Sequence, residues 1–338
     1  MSTNQFDLTR KDYVGSKSTL CTGCGHDSVT QHIVSALFKS DVHPFNVAKL
    51  SGIGCSSKTT NYFLNQSHGF NSIHGRMGPL ATGAKLANRE LQVIGISGDG
   101  DSASIGLGSF MHLLRRNLPM VYVVENNGVY GLTKGQFSAT AEHEMTMKSG
   151  EANEFAGMDL CTLAIEAGCS FVARAFSGDA KQLVPLLSAA MKHPGTAFID
   201  VVSPCITYAN HDGSTRSYDY VKEHKLSLQE LGFIADGESP EVDYAPGESI
   251  EVPMADGSKL LLKKLTDSHD HSDRLSALKS LFDARQKHEI VTGLIYYAAS
   301  DNNTLNALKL GETPLSQLSQ EELQPSEKSL SEILKSFK

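Results

Sequence analysis

Gly95-Ile96-Ser97-Gly98-Asp99-Gly100-Asp101 and Met120-Val121-Tyr122-Val123-Val124-Glu125-Asn126-Asn127-Gly128 are the stretches that decide the fold. Val93 to Ile96 and Met120 to Val124 are short, unbroken apolar runs, the pattern of parallel strands buried on both faces. Each run stops at acidic, amide and glycine residues. Both polar clusters are therefore expected at strand ends, the edge of an open α/β sheet that binds ligands.

Outward from this pair, strand and helix alternate. Asp27 to Phe38 carries a helical face of Val29, Ile33, Val34 and Leu37, and Pro79 to Ala87 is a small-residue helix. Gly108 to Arg116 leads into the second strand; Phe171 to Ala175 is a strand, and the helix Asp179 to Lys192 feeds the strand Ala197 to Val202. The expected class is α/β, a doubly wound, mostly parallel sheet. One domain is expected over residues 1–210, and residues 211–338 are expected to form an extended arm and a short helical tail on a partner subunit. His211 to Met254 shows little periodicity, Asp273 to Glu289 reads as an amphipathic helix, and the chain from Thr313 onward is rich in Ser, Gln and Glu.

The chain has 338 residues, a net charge of -8 and six cysteines. The acidic balance, with no basic stripe, excludes nucleic acid as an expected partner. No apolar run reaches membrane-spanning length, and Met1 to Lys17 is too polar for a secretory signal. Cys21 and Cys24, with two residues between them, point to metal or redox chemistry in a reducing compartment, so a cytoplasmic location is expected.

Gly-Asp-Gly alone is a common turn. Followed about thirty residues later by Asn-Asn, each after a buried strand, it resembles the fingerprint of thiamine diphosphate enzymes. Asp99 offers a hard carboxylate, Asn127 an amide oxygen and Val129 a backbone carbonyl, a set that suits an octahedral Mg²⁺ sharing phosphate oxygens. Glycines at 98, 100, 128 and 131 let the backbone approach a ligand closely.

The cysteines form a second constellation. Cys21 and Cys24 lie in Cys-Thr-Gly-Cys-Gly-His, Cys55 in Gly52-Ile53-Gly54-Cys55-Ser56-Ser57-Lys58, and Cys205 after Ser203-Pro204, each in a loop beside the same sheet edge. Four thiolates suit a 4Fe-4S cluster. A structural zinc site or a plain dithiol turn are the alternatives. Cys161 and Cys169 read as buried small hydrophobes.

Together these motifs, with His74-Gly75-Arg76, Arg115-Arg116-Asn117 and Asn127 through Gln136, resemble the beta subunit of the 2-oxoacid:ferredoxin oxidoreductases, above all its 2-oxoglutarate type. The resemblance covers roughly the first 220 residues and fades beyond Asp236. Thr22 stands where the family usually has proline, a turn position and not a ligand. The resemblance implies a subunit that binds thiamine diphosphate, Mg²⁺ and one 4Fe-4S cluster. Asp99, Asn127 and Val129 would hold Mg²⁺; Ile53, Gly54, Cys55, Ser56, His74, Gly98, Gly100, Asp101, Gly131 and Leu132 would line the cofactor; Cys21, Cys24, Cys55 and Cys205 would hold the cluster. It further implies an alpha subunit bearing the activating glutamate, coenzyme A as acyl acceptor and ferredoxin as electron acceptor. The reaction implied is the reversible oxidative decarboxylation of a 2-oxoacid.

Two residues carry expected catalytic roles. Lys58 could pair with the second carboxylate of 2-oxoglutarate, the alternative being a surface lysine. His74 could donate a hydrogen bond or move a proton near the substrate, the alternative being a core histidine. The other readings are a preference for pyruvate or another 2-oxoacid, a non-redox thiamine diphosphate lyase or decarboxylase, and a zinc-stabilised binding subunit.

Overall fold

The computed structural model describes residues 3–234, 249–254, 257–265, 269–299, 302–324 and 326–337. The strands, in chain order, are β1 (Val47–Ser51), β2 (His68–Asn71), β3 (Gln92–Gly98), β4 (Met120–Asn126), β5 (Val129–Tyr130), β6 (Gln136–Phe137), β7 (Phe171–Phe176), β8 (Thr196–Val202), β9 (Lys225–Ser227), β10 (Gln229–Ile234), β11 (Ser249–Pro253), β12 (Lys259–Lys264) and β13 (Ile290–Tyr297). The helices are α1 (Gly25–Lys39), α2 (Met77–Ala87), α3 (Leu107–Arg115), α4 (Leu160–Glu166), α5 (Ala180–Lys192), α6 (Tyr218–His224), α7 (Arg274–Gln286), α8 (Thr304–Ala307), α9 (Gln320–Leu323) and α10 (Glu327–Ser336).

Eight strands form one sheet in the order β2-β1-β3-β4-β8-β7-β13-β9, parallel throughout except where β13 runs antiparallel to β7. The expected doubly wound fold is observed. Its inner strands β1, β4, β7 and β8 are buried along their length because both faces are covered. On β4, Val121 and Val123 face a core built with α1 and α5, while Met120, Tyr122 and Val124 face one built with α2, α3, α4 and α7. The register sets Gly98 beside Glu125, so the residues that follow, Asp99 and Asn126-Asn127, leave the sheet side by side.

The expected boundary near residue 210 does not hold. β9 and β13, both beyond it, are strands of the main sheet, and α7 packs on its α3-side core. β10, β11 and β12 form a small antiparallel sheet whose Val252, Leu260 and Leu262 join the α1-side core. The extended arm expected over 211–254 is a turn segment through Ser217 and then mostly helix and strand where it is described; residues 235–248 lie outside the described residues. The reason is physical. Three- to six-residue strands that bury one face and pair Lys259 with Glu251 and Lys263 with Glu230 on the other show no long apolar period. The helical tail is observed: α10 is amphipathic, with Leu330, Ile333 and Leu334 exposed.

Candidate functional site

At the carboxyl ends of β1, β3 and β4 the chain leaves the sheet in three loops that enclose one cleft. The first supplies Ile53, Gly54, Cys55 and Ser56; the second Gly98, Asp99, Gly100 and Asp101; the third Asn127, Val129, Gly131 and Leu132; His74 closes one side. All the residues expected to line a cofactor are brought together. Lys58 is not among them: it sits half-buried in the 3-10 helix Ser56–Asn61, away from the cleft wall, with its charge acting on Cys55.

Asp99 is the anchor of the third loop. Its Oδ2 accepts from the Gly128 amide (3.1 Å), from Thr140 Oγ1 (2.7 Å) and from Ser138 Oγ, and its Oδ1 accepts from the Asn127 amide at 3.4 Å. Burial nevertheless raises its pKa above the ordinary carboxylate value, the hydrogen bonds and Arg216 opposing this. A desolvated carboxylate with no ion-pair partner among the described residues suits a divalent ion. Asn127 Oδ1 lies in the same turn, accepting from the Val129 amide at 3.0 Å. Gly128, at φ 75°, takes the left-handed conformation that reverses the chain there. Gly100 admits the Tyr130 ring: a Cβ at 100 would lie 2.4 Å from that ring, whose hydroxyl donates to the Gly100 carbonyl at 2.9 Å.

Asp101 turns inward. Its carboxylate accepts from Ser97 Oγ (2.7 Å), the Ile53 amide (3.1 Å), the Gly75 amide (2.8 Å) and His74 Nδ1, tying three loops together. With Nδ1 held by Asp101, the His74 ring stays partly exposed and edge-on to Tyr130.

The four expected cluster cysteines converge from three elements. Cys24 caps α1, and the Gly25 amide donates to the Pro204 carbonyl at 3.3 Å, which draws the 21–24 turn onto the Cys205 loop. A Cβ placed on Gly131 would lie 3.6 Å from Cys55 Sγ and 3.7 Å from Cys205 Sγ, so both sulfurs flank one point of the third loop. Thr207 Oγ1 approaches Cys21 Sγ at 3.6 Å, and the Ala209 amide donates to the Cys205 carbonyl at 2.9 Å, folding the loop around that cysteine. Among the described residues no three His, Cys, Asp or Glu side chains are gathered as tightly as around a bound ion. The donor set fits a thiolate-ligated centre all the same: all six cysteines are free, and burial, reinforced by neighbouring thiols and carboxylates, pushes Cys24 up to about 12 and raises Cys55 and Cys205. A cationic centre would reverse those shifts. Cys161 and Cys169 are buried in the core as expected.

Four cleft residues escaped the sequence reading: His26, Glu125, Tyr130 and Thr133. Glu125 is fully buried, accepts from Thr59 Oγ1 at 3.0 Å and is held well above the ordinary carboxylate pKa by burial. His26 Nδ1 lies 2.6 Å from Ser203 Oγ and 3.7 Å from Glu125, and burial pushes its pKa down to about 4. The signal was present, since both stand inside quoted motifs.

Residues 52–201 match the family described as thiamine pyrophosphate enzyme, C-terminal TPP binding domain. A 2-oxoacid:ferredoxin oxidoreductase subunit beta of Saccharolobus solfataricus is 40% identical over 207 residues, 61% of this chain and 67% of that one. A 2-oxoglutarate synthase subunit KorB of Methanothermobacter marburgensis is 33% identical over 240 residues, 69% of this chain and 82% of that one. The chain belongs to the 2-oxoacid:ferredoxin oxidoreductase beta-subunit family. Its fold also follows a solved family enzyme, the 2-oxoglutarate:ferredoxin oxidoreductase from Magnetococcus marinus with 2-oxoglutarate, coenzyme A and succinyl-CoA bound. The TM-score is 0.75 and the identity 28%, over 98% of this chain and 97% of that one. As a family beta subunit the chain is part of an enzyme and carries a thiamine diphosphate-binding domain. No described helix is long and apolar enough to cross a membrane.

Proposed function

We propose that this beta subunit, paired with an alpha subunit, carries out the coenzyme A-dependent oxidative decarboxylation of 2-oxoglutarate to succinyl-CoA and CO₂, with electrons leaving through one 4Fe-4S cluster to ferredoxin. The observation that carries the reading is Cys55. It lines the cofactor cleft, and its sulfur lies beside that of Cys205. A one-electron centre held there would share a wall with the reacting cofactor.

Thiamine diphosphate, when bound, would supply the carbanion chemistry that releases CO₂ from a 2-oxoacid, and a cluster held by the cysteines would supply one-electron acceptance. The chain's own residues have definable tasks. Asp99, the Asn127 amide oxygen and the Val129 carbonyl would hold Mg²⁺ against the diphosphate. Ser138 and Thr140 fix the Asp99 carboxylate from behind. Asp101 orients His74 so that the free ring nitrogen can serve a proton at the substrate. Cys21, Cys24, Cys55 and Cys205 would hold the cluster. Lys58, with no ion-pair partner among the described residues, would select a second carboxylate by reaching past the cleft mouth.

The partner is supported by the rim of the cleft, where Ile53, Ile73, Ile105 and Leu132 are exposed. An apolar rim around a cofactor site is the mark of a covered face, and an alpha subunit with the activating glutamate would cover it. A cytoplasmic setting accords with six free cysteines. The test is anaerobic, coenzyme A-dependent reduction of a viologen by the two subunits together, comparing 2-oxoglutarate with pyruvate. Faster turnover of 2-oxoglutarate is expected; turnover of pyruvate alone would discard the substrate assignment, and none with either, from a cofactor-loaded complex, would discard the redox reaction.

A further inference from the structure

Two residues of the cofactor cleft, Glu125 near the end of β4 and His26 in the first turn of α1, are polar yet sunk into the protein, 0% and 1% exposed. Burying a carboxyl group costs free energy unless its oxygens are met. Here one hydroxyl meets both: Thr59 Oγ1 donates to Glu125 Oε1 and to Oε2, each at 3.0 Å. His26 Nδ1 lies against Glu125 Oε2 at 3.7 Å, beyond hydrogen-bond reach, and takes Ser203 Oγ as its partner at 2.6 Å.

Each member of this chain of contacts belongs to a different cysteine loop. Thr59 stands in the 3-10 helix Ser56–Asn61 that Cys55 caps, His26 in the helix that Cys24 caps, and Ser203 just before Pro204 and Cys205. Ser203 is itself fixed, its amide donating to the Asn126 carbonyl at 2.8 Å, and it packs so closely on α1 that a Cβ on Gly25 would lie 2.5 Å from its hydroxyl. Glu125 is also near enough to Cys24 and Cys55 to raise the pKa of both thiols. Asp101 does for the cofactor loops what Glu125 does for the sulfur loops, and the two carboxyl groups share no partner.

We propose that Glu125 and His26 are positioning residues for the cluster: acting through Thr59 and Ser203, they hold the loops of Cys24, Cys55 and Cys205 at the spacing a four-thiolate centre needs, without being ligands themselves. The inference rests on the proposed role of Cys21, Cys24, Cys55 and Cys205 as cluster ligands. Groups one step behind the ligands orient them and set how firmly a metal centre is held. The Thr59 and Ser203 hydroxyls are therefore expected to govern the lability of the cluster and not the affinity for thiamine diphosphate, since neither residue lines the cofactor cleft.

The test uses the two-subunit complex, purified anaerobically as wild type, Thr59→Val, Thr59→Ser and Ser203→Ala. Three quantities are read: the rate at which an iron chelator bleaches the cluster absorption, the paramagnetic resonance spectrum of the reduced cluster, and thiamine diphosphate affinity by calorimetry. Bleaching is expected to be at least about tenfold faster in Thr59→Val, which removes the hydroxyl at nearly constant volume, and in Ser203→Ala, which tests the His26 arm independently. The resonance spectrum changes shape in both. Thr59→Ser restores the wild-type rate and spectrum, and cofactor affinity stays within about twofold in every variant. Wild-type bleaching and spectrum in folded Thr59→Val and Ser203→Ala complexes, or a loss of cofactor affinity with the cluster unaffected, would overturn the positioning role alone. A wild-type complex without iron and sulfide would remove the cluster reading on which that role rests.

Discussion

Asp101 shows how a single carboxylate can hold a site together. It gathers two backbone amides, a serine hydroxyl and an imidazole from three loops, so its loss releases all of them at once. Asp101→Asn is expected to cost about 1.5–3 kcal/mol in urea unfolding, the range for hydrogen bonds to a charged group. His74→Ala leaves the fold in place and is expected to lower turnover at least about tenfold, or ~1.4 kcal/mol of barrier; a smaller loss would remove His74 from the chemistry. For Lys58→Ile the expected change is in preference, with the ratio of 2-oxoglutarate to pyruvate turnover falling at least about tenfold. His193 gives a pH dependence. Burial depresses its folded pKa to about 4, and its Nδ1 has no partner, so between pH 6.5 and 4 the unfolded chain binds the extra proton. Its contribution is complete above about pH 6.5 and is lost as pH falls toward 4, on the order of 3 kcal/mol. In His193→Gln the acid limb of stability against pH is expected to flatten, although His26, shifted in the same direction, keeps part of it.

At the scale of elements, the strand-loop pairs of the site were legible because each is local. β3 and β4 are unbroken apolar runs that end in the candidate site residues, so reading the run places the loop. What lay beyond the sequence depends on neighbours far along the chain. Ser138 and Thr140 matter because the third loop folds back on Asp99, and the roles of His26 and Glu125 follow from burial against each other. β13 joins the sheet only because β7 leaves an open edge, and three-residue β9 has no pattern of its own. Gly100→Ala tests the loop packing directly. The new methyl collides with Tyr130, so thiamine diphosphate affinity is expected to fall at least about tenfold in calorimetric titration while circular dichroism is unchanged.

At the scale of the whole molecule, the sheet joins two sites that differ in what they lack. The cofactor cleft has donors, glycine-rich loops and a desolvated carboxylate, but its apolar rim stands open. The thiol set brings Cys55 and Cys205 to the third loop, beside the turn that carries Cys21 and Cys24. Both features are those of a subunit completed by others, which is why the chain alone is expected to show no turnover. The most direct test of the central claim is the iron, zinc and acid-labile sulfide content of the two-subunit complex purified anaerobically, as wild type and as Cys205→Ser. About four iron and four sulfide per beta chain are expected beyond any centres held by other subunits, and these are lost in the variant; zinc without sulfide, or iron and sulfide unchanged in Cys205→Ser, would contradict the account.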